Sequence, residues 1–346
     1  MMSNLITKAN EIYQLNFTPE TWFERAIFFS WGCSIGDCTF CYMSTQPKEK
    51  ALQESRRSFG SIYAETIISK LLGWEIGFFT GGIGSFTPVE IETMLKTIHQ
   101  IIEKKLWLSI GPVSKHMLMK YKPYIKGVVG STETINPELH KKVCPSKPLE
   151  PYEKMFLAAQ DLNLETAMTF IIGMGETRND FLLLKEFIIK YNISKIHLYG
   201  LIPTKGTVFE NSEAPSAEEQ AWWIANLRIE FPKLDIQCGI WKDRADRIPI
   251  LLKAGANSIS KFPAIRYFDK EYARNIEDAC FEAGRSFKGT LTSLEKLDLQ
   301  ENFIEECNKI IVRLELQDEI KKSIKEKLEI YLKQMGVFKC LMQIKQ

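Results

Sequence analysis

Eight short apolar runs constrain the fold of this chain more than any other feature. They lie at Ala26–Ser30, Ile76–Thr80, Trp107–Ile110, Gly127–Gly130, Thr166–Ile172, Lys195–Tyr199, Asp235–Cys238 and Ser258–Ser260, and each reads as a strand. Amphipathic stretches at helical spacing lie between them, at Ile62–Leu72, Pro88–Lys104, Tyr152–Asp161, Asn179–Tyr191, Ala217–Glu230 and Asp243–Ala254. Strand–helix alternation with short connections predicts an α/β protein whose parallel strands are covered by helices. Eight repeats close a TIM-type (β/α)8 barrel, whose chemistry sits at the C-terminal ends of its strands. From about Leu291 the strand signals stop. Glu/Lys-rich helices follow at Ile304–Leu314 and Ile320–Leu332, ended by Gly336 and a short apolar tail. The expected division is a helical lead-in over 1–25, the barrel over 26–290 and a C-terminal helical extension over 291–346.

The densest chemistry follows the first run directly: Ser30-Trp31-Gly32-Cys33-Ser34-Ile35-Gly36-Asp37-Cys38-Thr39-Phe40-Cys41-Tyr42-Met43-Ser44-Thr45-Gln46. Three thiols spaced C-x4-C-x2-C read as a metal site. A closed zinc site takes four ligands, yet Cys144, Cys238, Cys280, Cys307 and Cys340 are scattered singly, as are His99, His116, His140 and His197. Three close thiolates with no fourth suit an iron–sulfur cube with one open iron. A zinc knob borrowing a distant ligand, or plain buried thiols, are the alternatives. Eight cysteines without a disulfide pattern fit a reducing cytoplasm. A net charge of +2 gives no reason to expect a nucleic-acid or membrane-surface partner. The polar N-terminus carries no signal peptide, and no apolar run reaches the roughly 18 residues of a membrane span.

Further motifs follow other strands. Thr80-Gly81-Gly82-Ile83-Gly84-Ser85 would let backbone approach a ligand closely, although such a turn is often only a turn. Glu133, in Gly130-Ser131-Thr132-Glu133-Thr134, either points into the barrel mouth toward a ligand or caps the next helix. Ile171-Ile172-Gly173-Met174-Gly175-Glu176-Thr177 offers an apolar strand end with free backbone groups, suited to a flat purine ring.

The cysteine stretch, with Phe40 before its last Cys, resembles the cluster loop of radical S-adenosylmethionine (SAM) enzymes, with one residue more than the usual C-x3-C-x2-C. The segment Glu133–Pro145, Gly173–Asp180, Leu201–Thr207, Arg228-Ile229 and Ala254–Ser258 resemble, in order, the biotin synthase, HydE, HydG and ThiH branch. This resemblance implies that Cys33, Cys38 and Cys41 hold one 4Fe–4S cluster whose fourth iron is chelated by SAM. It implies that Thr80, Gly81 and Gly82 meet the methionine amino group and that Glu133 contacts SAM. Phe40, Tyr42, Ile172 and Met174 would surround the cofactor, and Tyr152 and Lys154 are candidates for its carboxylate. The implied activity is reductive cleavage of SAM to a 5′-deoxyadenosyl radical that abstracts hydrogen from a small-molecule substrate. The electron would come from ferredoxin or flavodoxin.

The long cysteine loop, with Trp31 and Tyr42–Gln46, is similar to the HmdB/HcgA-type proteins associated with the iron-guanylylpyridinol (FeGP) cofactor of iron-only hydrogenase. The substrate would then be a pyridinol precursor. Biotin, lipoyl or methylornithine-type chemistry is the alternative within the family, and a non-catalytic iron–sulfur carrier is the alternative outside it. A second cluster would have only Cys144 and Cys238 to draw on, and lone buried thiols are the simpler reading of both. Candidate substrate contacts at the barrel mouth are His197, Tyr199, Trp241, Lys261 and Arg266.

Overall fold

The computed structural model describes residues 2–46, 52–299 and 302–337. Cys340 and most of the apolar tail after Gly336 lie outside the described residues. Among the described residues ten strands form: β1 (Glu20–Trp22), β2 (Glu24–Phe28), β3 (Glu75–Thr80), β4 (Leu106–Ser109), β5 (Ile125–Glu133), β6 (Glu165–Ile172), β7 (Ile193–Gly200), β8 (Asp235–Gly239), β9 (Ser258–Ser260) and β10 (Ser286–Lys288). Strands β2 to β9 make one eight-stranded sheet in sequence order, every neighbouring pair parallel. The ring nearly closes: a single parallel bridge, Phe23 to Ile259, joins its first and last members. This is the TIM-type barrel expected from the alternation.

The eight expected strands form within a few residues of their sequence positions. The largest difference is β5, which runs from Ile125 to Glu133 where the sequence suggested only Gly127–Gly130. The glycines have no side chains to signal burial. Gly127 could not carry one, because a Cβ there would fall 2.3 Å from the Glu165 carbonyl oxygen. A register shift between Gly130 and Glu133 precedes its last pair, Glu133 with Phe170. The β1–β10 pair, which joins the two flanks of the barrel, has no signature in the local pattern. The helix expected over Asp243–Ala254 is shorter, a 3-10 turn at Ala245–Arg247 leading into Ile248–Lys253.

Helices pack their apolar faces on the outside of the ring. The helix Pro88–Ile102 starts at a capping box in which Thr87 Oγ1 accepts from the Glu90 N–H and Glu90 Oε2 accepts from the Thr87 N–H. Arg228 shows why two of the quoted motifs occur together. It is fully buried and donates to the Gly255 carbonyl and to Asn257 Oδ1, so Arg228 and Ala254–Ser258 form one structural lock.

Inside the ring, the floor is polar. Lys195 Nζ sits 2.6 Å from Glu24 Oε1 and 2.8 Å from Asp235 Oδ2, and Ser258 Oγ donates to the same Glu24 oxygen. A buried ammonium is tolerable here because two carboxylates surround it, and they hold its pKa above the ordinary lysine value despite burial. Above it lies an apolar layer of Phe78, Trp107, Val129 and Ala167, and the strand ends stand above that. The C-terminal helix Asp318–Met335 lies beside the barrel, where Tyr331 Oη is 2.7 Å from Ser61 Oγ. Among the described residues no helix is long and apolar enough to cross a membrane.

Candidate active site at the strand ends

The cysteine loop leaves β2 and is fastened to several other strand ends. Ser34 N–H donates to the Ile83 carbonyl, Ser85 Oγ to the Gly32 carbonyl, and Thr39 N–H to the Val143 carbonyl. Val208 N–H donates back to Thr39. The Thr80-Gly81-Gly82 motif is therefore packed against the loop itself. A Cβ at Gly82 would lie 1.8 Å from the Gly32 oxygen, and one at Gly81 would enter the Phe29 ring at 2.4 Å. Only glycine lets these two backbones meet.

Cys33, Cys38 and Cys41 are all half-buried free thiols. Among the described residues, no three His, Cys, Asp or Glu side chains converge tightly enough to grip one metal ion. A lone tetrahedral metal with bonds of about 2.3 Å would draw its thiolates into mutual contact. A four-iron cube takes its cysteines at separate corners and spans a wider triangle. Three thiols on one glycine-cradled loop, with Cys41 on the wall of the barrel cavity, fit the cube in donor chemistry.

Cys144 is not the isolated thiol expected from sequence. It is fully buried and packs in one cluster with Cys38, Phe40, Ile171, Met174 and Tyr199, its thiol beside that of Cys38. That contact, together with burial, pushes the Cys144 thiol far up and holds Cys38 below the usual thiol range. Cys144 thus favours its neutral thiol. Burial pushes Cys41 up. Cys238 faces outward from β8 and donates its thiol to the Ser258 carbonyl at 3.4 Å, and burial pushes its pKa up to about 12.

Glu133 ends β5 in a left-handed conformation, φ 62°, a costly state for a residue other than glycine. It does not cap the following helix, whose cap is Asn136. Instead its two oxygens take a 3.0 Å ion pair from Lys147 and a 2.9 Å hydrogen bond from Thr169 Oγ1. Lys147 is a candidate site residue that sequence reading missed. It is buried beside Glu133, and that carboxylate holds its pKa well above the ordinary value against desolvation. Tyr152 is buried nearby, its phenol raised by burial. Lys154 is displaced from the site: the helix Glu150–Asp161 turns it to the outer surface, where it pairs with Glu150 at 2.6 Å. The only sequence signal for Lys147 is a lone cation between Ser146 and Pro148, just before that helix.

The strand-end motif of β6 needs two corrections. Ile172 points outward into the large core between sheet and helices, whereas Ile171 faces the cavity. Alternation along a strand puts neighbours on opposite faces, and a strand buried on both faces does not say which is which. The backbone N–H groups of Gly173 and Met174 are not free either, since both donate to the Glu176 carboxylate, Met174 at 2.9 Å. Met174 itself packs in the cluster with Phe40, and Tyr42 stands half-exposed at the rim.

His197, Tyr199, Trp241, Lys261 and Arg266 all line one cavity of about 770 Å3, together with Phe40, Cys41, Tyr42 and Ile171. Its walls are largely aromatic, including a Phe28–Trp31 pair stacked at 4.5 Å and 11°. His197 lies below Tyr199 with Nδ1 2.8 Å from Gln237 Oε1. Gln237 gives its own N–H to the Cys238 carbonyl, so its oxygen faces the ring and His197 donates from Nδ1. Burial lowers this imidazole to about 3, so it stays neutral. Sequence reading missed Arg25, Arg57 and Glu65, which form an ion cluster on the same wall, and Tyr331 from the C-terminal helix.

The Radical SAM superfamily matches residues 27–188. The uncharacterized protein MJ0597 of Methanocaldococcus jannaschii is 32% identical over 333 residues, covering 94% of this chain and 92% of its own length. Biotin synthase of Clostridium botulinum is 25% identical over 246 residues, covering 64% of this chain and 71% of that protein. Among solved structures, methylornithine synthase (PylB) superposes with a TM-score of 0.68 at 17% identity, over 86% of this chain and 91% of that one, which supports the fold. Proteins of this superfamily are enzymes that use a 4Fe–4S cluster and SAM. The chain is a member of the radical SAM superfamily, in the branch that includes biotin synthase.

Proposed function

We propose that this enzyme abstracts hydrogen from a small, flat precursor during assembly of the FeGP cofactor of iron-only hydrogenase. The observation that carries the reading is the lengthened cysteine loop, whose Cys41, Tyr42 and Met43 and flanking Trp31 form one wall of an aromatic cavity sized for such a ring. When bound, the cluster and SAM supply one electron and a hydrogen-abstracting carbon radical. The chain's own residues do the rest. Cys33, Cys38 and Cys41 would hold three irons. Thr80, Gly81 and Gly82 fix the loop, the Glu133–Lys147 pair offers one anion and one cation to an amino acid end, and Phe40, Ile171 and Met174 give an apolar surface. The apolar and aromatic walls of the barrel cavity would limit water at the reacting centre. Residues 26–290 would form the catalytic unit, with the helices after 291 completing its wall, and a low-potential protein such as ferredoxin or flavodoxin would supply the electron.

Anaerobic reconstitution with iron and sulfide, followed by dithionite and SAM, should release 5′-deoxyadenosine. No release from protein carrying four irons per chain would overturn the catalytic reading. Deleting the gene in its host should abolish guanylylpyridinol measured by mass spectrometry, and an unchanged level would remove the FeGP assignment.

A further inference from the structure

The cavity wall carries more positive charge than the protein neutralises. Its lining includes two carboxylates, Glu24 and Glu65, and four cations, Arg25, Arg57, Lys261 and Arg266. Both carboxylates are already engaged, Glu24 by Lys195 and Glu65 by Arg25 and Arg57. Lys261 and Arg266 have no ion-pair partner among the described residues. The Lys261 ammonium stands 4.5 Å over the Tyr199 ring, and Arg266 stacks on Tyr267 at 5.6 Å. Glu133 also acts on the Lys261 ammonium but is already paired with Lys147, so this cation is incompletely compensated.

The backbone holds Lys261 there at some cost. It follows β9 in a left-handed conformation, φ 66°, which side-chain-bearing residues seldom adopt. Gly239 makes room for it, since a Cβ there would lie 3.3 Å from Lys261 Cγ and 2.3 Å from the Tyr199 ring. Lys261 has a large accessible surface, but that surface faces the cavity, and enclosure by protein lowers its pKa. A strained backbone that aims an incompletely compensated charge into a chamber points to a ligand of opposite charge.

We propose that Lys261, with Arg266, anchors an acidic oxyanion group, a carboxylate or a phosphate, of a flat ring-bearing substrate whose ring lies among the aromatic walls. This deepens the functional reading above and rests on the cavity being the substrate chamber. Lys147, already paired with Glu133, would serve the cofactor side, and Lys261, whose surface opens onto the cavity, the substrate side.

The test uses cluster-reconstituted, SAM-loaded protein and isothermal titration with three probes: 4-hydroxybenzoate, phenyl phosphate and the neutral 4-hydroxybenzamide. One of the two anions should bind, and the better of them identifies the acid group. The amide should bind at least about tenfold more weakly, and Lys261→Met should weaken the anion by a similar factor, as for a lost charged hydrogen bond. Lys261→Arg should retain binding, which separates lost charge from lost folding. Iron content and SAM affinity of Lys261→Met should match those of the parent. The proposal is overturned if neither anion binds at millimolar concentration, or if the amide binds as tightly. It is also overturned if Lys261→Met binds the anion normally, or if it loses SAM as well. Failure of the radical SAM reading would look different: a parent enzyme that binds the anion yet releases no 5′-deoxyadenosine.

Discussion

Replacing Lys147 by Met should destabilise the cluster-free protein by about 3–5 kcal/mol, the usual cost of removing one partner from a buried ion pair. The structure supplies the reason. Lys147 and Glu133 are both buried, their charged atoms are 3.0 Å apart, and once the ammonium is gone Glu133 keeps only the Thr169 hydroxyl as a donor. An uncompensated carboxylate then remains in a site that water reaches poorly. With an unfolding entropy of about 2.1 cal/mol/K per residue, the loss corresponds to a fall in melting temperature of about 4–7 °C for a chain of this length. Anaerobic urea unfolding followed by far-ultraviolet circular dichroism measures the free energy, and calorimetry measures the melting point. The double variant Lys147→Met/Glu133→Gln should recover more than half of the loss, because the orphaned charge is removed with its partner. A single variant costing less than about 1 kcal/mol, or a double variant as unstable as the sum of the two singles, would refute the reasoning.

Other expectations concern the thiols, the glycine cradle and His197. Alanine at Cys33, Cys38 or Cys41 should each prevent assembly of a stable four-iron cluster, while Cys144→Ala should keep its iron and sulfide; a Cys144 variant devoid of iron would make it a ligand. Gly82→Ala should block cluster reconstitution while leaving the helical circular dichroism near normal, because its methyl and the Gly32 oxygen would compete for the same space; full iron loading in this variant would contradict the close approach. The native His197 pKa, near 3, lies below the unfolded value of about 6.5, so between these pH values the unfolded chain binds the extra proton. Stability is thus lost as pH falls through 6.5, and His197→Gln should shrink the drop between pH 7 and pH 5 by roughly 2 kcal/mol. Equal drops in parent and variant, measured by urea unfolding, would show that His197 is not held neutral.

The barrel was legible because each of its strands is a short apolar run and each helix carries one apolar stripe. What escaped the sequence has physical causes. Ile171 and Ile172 are both apolar, so no local signal says which faces the cavity. Cys144 meets Cys38, and Lys147 meets Glu133, only after the chain has folded through the loop and helix between them, and a single lysine in a loop has no periodicity to mark it. Lys154 shares its helix with Tyr152, but two residues along a helix turn the side chain most of the way to the opposite face. The cysteine loop was readable because its chemistry is concentrated in nine consecutive residues, Cys33 to Cys41.

The single bridge between Phe23 and Ile259 leaves the ring with one joint that main-chain pairing scarcely holds. Residues on both sides of it, Glu24 and Arg25 on one flank and Lys261 and Phe262 on the other, border the chamber, with Tyr331 of the last helix close by. Side-chain hydrogen bonds reach across it, from Ser258 Oγ to Glu24 Oε1 at 2.7 Å, from Thr21 Oγ1 to the Asn257 carbonyl at 3.0 Å and from Arg25 Nη1 to the Phe262 carbonyl at 3.3 Å. Elsewhere a ladder of amide bonds joins neighbouring strands, but here side chains supply most of the bonds. The seam of the barrel therefore depends on side-chain identity more than the rest of the ring does, and Glu24, Arg25 and Ser258 are the residues that hold it.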